Sequence, residues 1–207
     1  MSQLIACKNQ NGIVLAADGK GFDFSPSGEL VDSSTERLFQ LGPTSAILAG
    51  GTMEAEKMCR TLKAFVAEEA LTDVEEVYGA ALPFLASEYD RFMRKRCEMM
   101  PLDPIHQAYF ILAGLSTTSQ EDPYRMYLIW TKKKLPQLDG DEITTAFTIP
   151  RIIRLEYRLS RLCKENASIE RVLGEVKSVM ENLAASQDEI GGPFSFASIT
   201  KDGFKRT

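Results

Sequence analysis

Apolar and polar positions change rhythm several times along this chain. Residues 4–8 and 12–18 are short runs dominated by Leu, Ile, Val and Ala, the pattern of buried strands. Asn9-Gln10-Asn11-Gly12 lies between them, and its Asn-Gly pair suits a hairpin turn. Ser25-Pro26-Ser27-Gly28 reads as a further turn. Residues 37–41 and 45–49 predict two short strands around Gly42-Pro43. After Gly50-Gly51 the period lengthens. Ala55, Met58, Leu62, Phe65, Val66 and Ala70 keep helical spacing, with Thr52 as the expected N-cap. A second helix is expected from Thr72 or Asp73, carrying Val74, Val77, Ala81, Phe84, Leu85 and Phe92, with a kink at Pro83. Its basic end, residues 91–96, suits a helix C-terminus.

Strands follow at residues 107–114 and 124–131, then a polar connection at 138–141 and a short strand at 143–147. Ile152, Leu155, Leu159 and Leu162 form one stripe of a third helix, residues 151–163. Ser168 caps a fourth, whose face runs from Ile169 through Val172, Val176 and Met180 to Leu183. Gly191-Gly192-Pro193 ends it, residues 194–200 form an alternating strand, and Lys201 to Phe204 make a turn and the start of another. Strands and helices thus come in blocks, which points to an α+β fold and not to βαβ alternation. Two stacked antiparallel sheets between helix pairs, a four-layer αββα sandwich spanning residues 1–207 as one domain, would bury every apolar stripe.

Composition bounds the function. The chain is 44% hydrophobic and 26% charged, an ordinary globular balance. Its net charge of −5 argues against nucleic acid or an anionic membrane as partner. The basic run Lys132-Lys133-Lys134 is short, lies near Pro136, and reads as a solvated loop. No apolar run has the length of a membrane span, and the start lacks the plan of a secretory signal, so a cytoplasmic protein is expected. Cys7, Cys59, Cys97 and Cys163 share no metal-type spacing and read as buried small hydrophobes. His106, the sole histidine, reads as structural. Neither a G-x-x-x-x-G-K-[ST] loop nor G-x-G-x-x-G occurs, and no cofactor or metal is expected.

Ser2 is the candidate for chemistry. Removal of Met1 would leave a hydroxyl and a free α-amine on one residue, a nucleophile with its own base. An α-amine has a pKa of about 7.7–8.0, close to where a general base works best. The plainer alternative is that Ser is simply common after Met.

Four segments resemble the proteasome-type N-terminal nucleophile hydrolases, the proteasome β subunits and bacterial proteasome-like peptidases. They are Gly12-Ile13-Val14-Leu15-Ala16-Ala17-Asp18-Gly19, Glu36-Arg37-Leu38-Phe39-Gln40-Leu41, residues 46–55, and the late Gly191-Gly192 turn followed by residues 196–203. The resemblance spans nearly the whole chain. It implies the αββα fold, Ser2 as nucleophile, and Asp18 orienting a basic residue beside it. That residue is usually Lys, and Arg37 stands in its place. Gly50 is the expected oxyanion donor, with Gly51 one residue away as the alternative. A substrate pocket is expected near Lys20, Phe22, Met53 and Arg37.

Two support positions depart from the family. Thr144 to Pro150 replaces a Gly-Ser-Gly turn, and Gln187 or Asp188 stands where an Asp is usual. The resemblance further implies a peptide or protein substrate, a homo-oligomeric ring and, in some relatives, an ATPase partner. Two alternatives stay open: a catalytically inactive structural subunit of such a ring, and acyl transfer to an amine in place of hydrolysis.

Overall fold

A computed structural model describes residues 2–25, 27–97, 107–132 and 137–207. The expectations for His106, Lys133 and Lys134, and Pro26 in the turn expected over residues 25–28, lie outside these residues, as does the side chain of Cys97. In chain order the elements are β1 (Leu4–Asn9), β2 (Gly12–Ala17), β3 (Lys20–Phe24), β4 (Leu30–Ser34), β5 (Leu38–Gln40) and β6 (Ser45–Gly51). Then come α1 (Glu54–Glu68), α2 (Val74–Cys97), β7 (Ala108–Leu115), β8 (Tyr124–Thr131), β9 (Leu138–Glu142) and β10 (Ala146–Ile149). The chain continues through α3 (Ile153–Lys164), α4 (Ile169–Ser186), β11 (Ser195–Thr200) and β12 (Gly203–Arg206). The fold is α+β. Among the described residues one sheet has the order β10-β1-β2-β11-β12, a second β5-β6-β7-β8-β9, and β3-β4 form a separate ribbon, all antiparallel.

The runs without polar interruption in β1, β2, β6 and β7 follow from burial on both faces. In the first sheet Leu4, Ala6, Ile13 and Leu15 share a core with Leu48 and Ile111 of the second sheet. Their neighbours Ile5, Cys7, Val14 and Ala16 pack instead on Leu159 of α3 and on Val176 and Met180 of α4. In the second sheet Ile47, Phe110 and Leu112 pack on Met58 and Leu62 of α1 and on Val77 and Leu85 of α2. The period of two along each strand therefore sends successive side chains into different cores.

Four features differ from expectation. Residues 20–34, expected to hold only a turn, form the β3-β4 hairpin. The polar stretch from Leu138 is the strand β9 at the edge of the second sheet, where unpaired backbone faces outward and polar residues suit it. The strand expected over 143–147 is shifted to β10 and pairs with β1, Leu4 opposite Ile149. Thr52 is not the α1 cap: Met53 holds that position without a side-chain acceptor, and Thr52 Oγ1 only accepts the Glu54 N–H at 3.4 Å. The starts of α2 and α4 follow the pattern. Asp73 Oδ1 accepts the Glu75 N–H at 2.8 Å, and Ser168 Oγ accepts the Arg171 N–H at 3.3 Å.

Candidate active site

The β1-β2 pairing ends at Leu4 opposite Ala17, and the next pair is irregular. The Asp18 N–H donates to the Gln3 carbonyl at 3.1 Å. The Gln3 N–H, however, donates to the Asp18 side chain, Oδ1, at 2.8 Å. A carboxylate has taken a rung of the ladder, and Asp18 is 1% exposed as a result. Ser2 precedes this pair and is itself 9% exposed.

Arg37 approaches from the second sheet, one residue before β5. Its carbonyl accepts the Ala49 N–H at 2.8 Å. Its Nη2 donates to the Lys20 carbonyl at 2.9 Å, and its Nε lies 3.4 Å from Asp18 Oδ1. Burial pushes the Asp18 carboxyl above its ordinary pKa, against the opposing influence of the Arg37 charge and the Gln3 N–H. Burial likewise lowers Arg37, opposed by Asp18 and Glu56. Guanidinium nevertheless keeps its charge in proteins. Asp18 Oδ2 is buried without a hydrogen-bond partner among the described residues.

Gly50 and Gly51 have different jobs. A Cβ on Gly50 would lie 3.0 Å from Leu4 Cδ1 and 3.6 Å from Ser2 Cβ, so glycine there lets the start of β1 lie close. The direction of the N–H groups follows from alternation. The Ala49 N–H goes to Arg37 and the Thr52 N–H goes to the Gln107 carbonyl at 2.7 Å. Gly50, in phase with Thr52, turns its N–H to β7. Gly51, in phase with Ala49, turns its N–H to the β5 side, beyond Arg37, where the ladder has ended. Gly51 also has φ +89°, a left-handed conformation that glycine adopts readily. Of the two glycines expected as oxyanion donor, Gly51 is the one that lines a cavity together with Ser2.

Ser2, Arg37 and Gly51 share the wall of a cavity of ≈ 520 Å³. Lys20, Phe22 and Met53, expected near a pocket, line it too. The sequence reading missed Gln107, Tyr109, Ile149 and Pro150, which complete the wall. These four come from β7, its entry and the end of β10, and only the sheet pairing brings them to Ser2. Phe22, Met53, Tyr109, Ile149 and Pro150 make the wall largely apolar. Lys20 Nζ is engaged with Asp32 at 3.4 Å and stands 5.4 Å from the Phe22 ring centroid.

The two support positions are filled differently. Thr148 is fully buried, and its Oγ1 donates to Glu156 Oε1 at 2.9 Å while accepting the Ile152 N–H at 2.7 Å. That hydroxyl belongs to the start of α3, and Ile149 and Pro150 face the cavity instead. Gln187 and Asp188 are exposed. The late glycine turn does reach the site: the Gly191 carbonyl accepts the N–H groups of Gly19 and Lys20, each at 3.1 Å.

Among the described residues no group of His, Cys, Asp and Glu is placed to hold a metal, and no helix is long and apolar enough to cross a membrane. In comparison with known proteins, the chain matches no protein-family model and no curated protein.

Proposed function

We propose that the chain is a proteasome-like N-terminal nucleophile hydrolase that cleaves peptide or related amide bonds with Ser2. The observation that carries this reading is the meeting of Ser2, the buried Asp18–Arg37 pair and Gly51 at one apolar cavity. The proposed fold is the four-layer αββα sandwich. It is supported by three apolar cores, one between α1/α2 and the second sheet, one between the sheets, and one between the first sheet and α3/α4.

In the proposed reaction, Met1 is removed and Ser2 Oγ attacks the substrate carbonyl carbon. The hydroxyl proton passes to the Ser2 α-amine, directly or through a water. The Gly51 N–H receives the oxyanion, which in a water-poor site is a large contribution. The Arg37 charge favours the developing alkoxide, and Asp18 holds Arg37 in place. The C–N bond breaks as the leaving amine takes the proton from the α-ammonium. Water then attacks the Ser2 ester, and its proton follows the same route. Arg37 serves as a field and not as a proton carrier, because it does not deprotonate. A peptide or protein substrate, a homo-oligomeric ring and an ATPase partner belong to this proposal through the family resemblance alone.

A second reading has its own support. Ile149-Pro150 supplies no hydroxyl to the cavity and Asp188 is exposed, so an inactive structural subunit is the alternative. Intact-mass spectrometry before and after a β-lactone separates the two. Loss of Met1 with one adduct on the Ser2 peptide is the expected result. Retained Met1, or a free Ser2 that ignores the reagent, supports the structural subunit.

A further inference from the structure

We propose that Glu156 is a positioning residue of the candidate site, a carboxylate that holds the Ile149-Pro150 wall of the cavity in place and so sets how tightly a substrate is bound. The proposal rests on the reading of this cavity as the substrate site. The wall needs such a hold. β10 is the outer strand of its sheet and pairs on one side, with β1. Ile149 is its last residue and lies opposite Leu4, and Pro150 has no N–H to donate. Both line the same cavity as Ser2. The frayed end of a strand opens at little cost in free energy unless something ties it down.

Glu156 fastens the chain on both sides of this wall. It stands in the first turn of α3 and is 7% exposed. Before the wall, its Oε1 accepts the Thr148 N–H at 3.0 Å and the Thr148 hydroxyl at 2.9 Å. After the wall, Oε1 accepts from Arg151 Nε at 2.7 Å and Oε2 accepts from Arg151 Nη2 at 2.6 Å. Thr148 Oγ1 extends the link by accepting the Ile152 N–H at 2.7 Å. The Thr148 N–H thus meets the carboxylate on the side of β10 where a further strand would pair. The Arg151 guanidinium also lies over the Phe147 ring, 4.3 Å from its centroid. Ile149 and Pro150 are left as a short span between anchored neighbours.

Packing alone does not call for a carboxylate here. The core between α3 and the first sheet is filled from α3 by Leu155, Leu159 and Cys163. A carboxylate taken out of water costs free energy unless it is fully bonded. Among the described residues, the side-chain bonds of Glu156 all go to Thr148 and Arg151, the residues that flank the wall. Charge-assisted bonds to a guanidinium are strong and directional, so the wall is set in one position before a substrate arrives, and less ordering is left to binding. Glu156→Gln puts an amide NH₂ against groups that donate, which releases one side of the clamp.

The test follows the reaction of Ser2 with a β-lactone over a range of concentrations, which gives a half-saturating concentration and a limiting rate. In Glu156→Gln the half-saturating concentration is expected to rise about tenfold, the scale of one methylene of lost fit in an apolar pocket, while the limiting rate changes far less. Arg151→Ala removes the other half of the clamp and shifts it in the same direction, and it is the variant to read if Glu156→Gln does not fold. Leu159→Ala, on the same helix, controls for lost stability: its denaturation midpoint falls and its half-saturating concentration stays. In an Ile149→Ala background Glu156→Gln adds little, because both changes act through one wall. An unchanged half-saturating concentration in folded Glu156→Gln, or an equal rise in Leu159→Ala, overturns the proposal. A wild-type Ser2 that the lactone does not label overturns the hydrolase reading instead, and binding of N-acetyl-leucinamide, followed by ligand-observed NMR, then decides. Weaker binding to Glu156→Gln than to wild type supports the positioning role. Equal binding, or none to wild type, overturns it.

Discussion

Arg37 and Asp18 bear on stability and on chemistry at once, and the two effects can be separated. Arg37→Ala leaves Asp18 as an uncompensated buried charge, which costs about 3–5 kcal/mol. The chemical denaturation midpoint is expected to fall accordingly. If Ser2 is the nucleophile, its β-lactone reaction also slows about 10²–10³-fold, the scale of one lost stabilising group. Arg37→Lys is expected to recover most of the reactivity, because a lysine supplies the charge. An unchanged rate in Arg37→Ala protein that is still folded would remove Arg37 from the mechanism. Gly51→Ala tests the donor assignment: a side chain would drive into the Gln107 carbonyl at a φ of +89°, so the N–H must move. Reactivity lost in Gly51→Ala with Met1 still removed is the expected outcome.

Elements differ in how plainly the sequence announces them. α4 could be read from a stripe and a capping Ser168, because both signals are local. β9 could not, since Leu138-Asp139-Gly140-Asp141-Glu142 has the polarity of a loop and becomes a strand only because β8 offers it an edge. The β3-β4 hairpin is hidden by the polarity of Lys20, Asp23, Asp32, Ser33 and Ser34, although its strands pair only with each other. The candidate site shows the same division. Ser2 and Asp18 are tied by hairpin spacing, which is local. The Gly51 N–H direction and the Ile149-Pro150 wall depend on sheet register, which no local pattern carries.

The start of α3 yields two predictions. Glu156 Oε1 accepts from the Thr148 N–H at 3.0 Å and from Arg151 Nε at 2.7 Å. Burial alone would raise its pKa, but the Arg151 and Thr148 bonds outweigh burial and hold it below the ordinary carboxylate value. A carboxyl lowered on folding stabilises fully above its unfolded pKa of about 4.3. That stabilisation is lost as pH falls through the folded value. Glu156→Gln is therefore expected to cost about 1.5–3 kcal/mol at neutral pH, with the gap from wild type closing below about pH 4. A gap that is constant with pH in urea titrations would rule this out. Leu159→Ala, at a fully buried position of α3, is expected to cost about 2–5 kcal/mol at every pH.

For the molecule as a whole, the two five-stranded sheets share one core, and β12 ties them together at the periphery. The Phe204 N–H donates to the Pro43 carbonyl at 2.8 Å, and Arg206 donates to the Leu38 carbonyl, next to Arg37. Assembly belongs at this level too. Sedimentation equilibrium is expected to give a multiple of the 23.0 kDa chain if the ring proposal holds, and a stable monomer would end it. Ile153 and Tyr157, one turn apart on α3, are 75% and 74% exposed, so Tyr157→Glu is a variant to include in that measurement.

The β3-β4 ribbon pairs with neither sheet, yet it contributes Lys20, Gly21 and Phe22 to the cavity wall. Its tip, from Ser27 to Glu29, is exposed, and a side chain added at Gly28 would meet nothing. Among the ribbon residues whose side chains are described, none belongs to the three cores, so this wall of the cavity is an appendage to them. If the cavity takes the substrate as proposed, related chains could diverge in what they admit by trading this ribbon, and a library of ribbon lengths grafted between Phe22 and Asp32 would change selectivity.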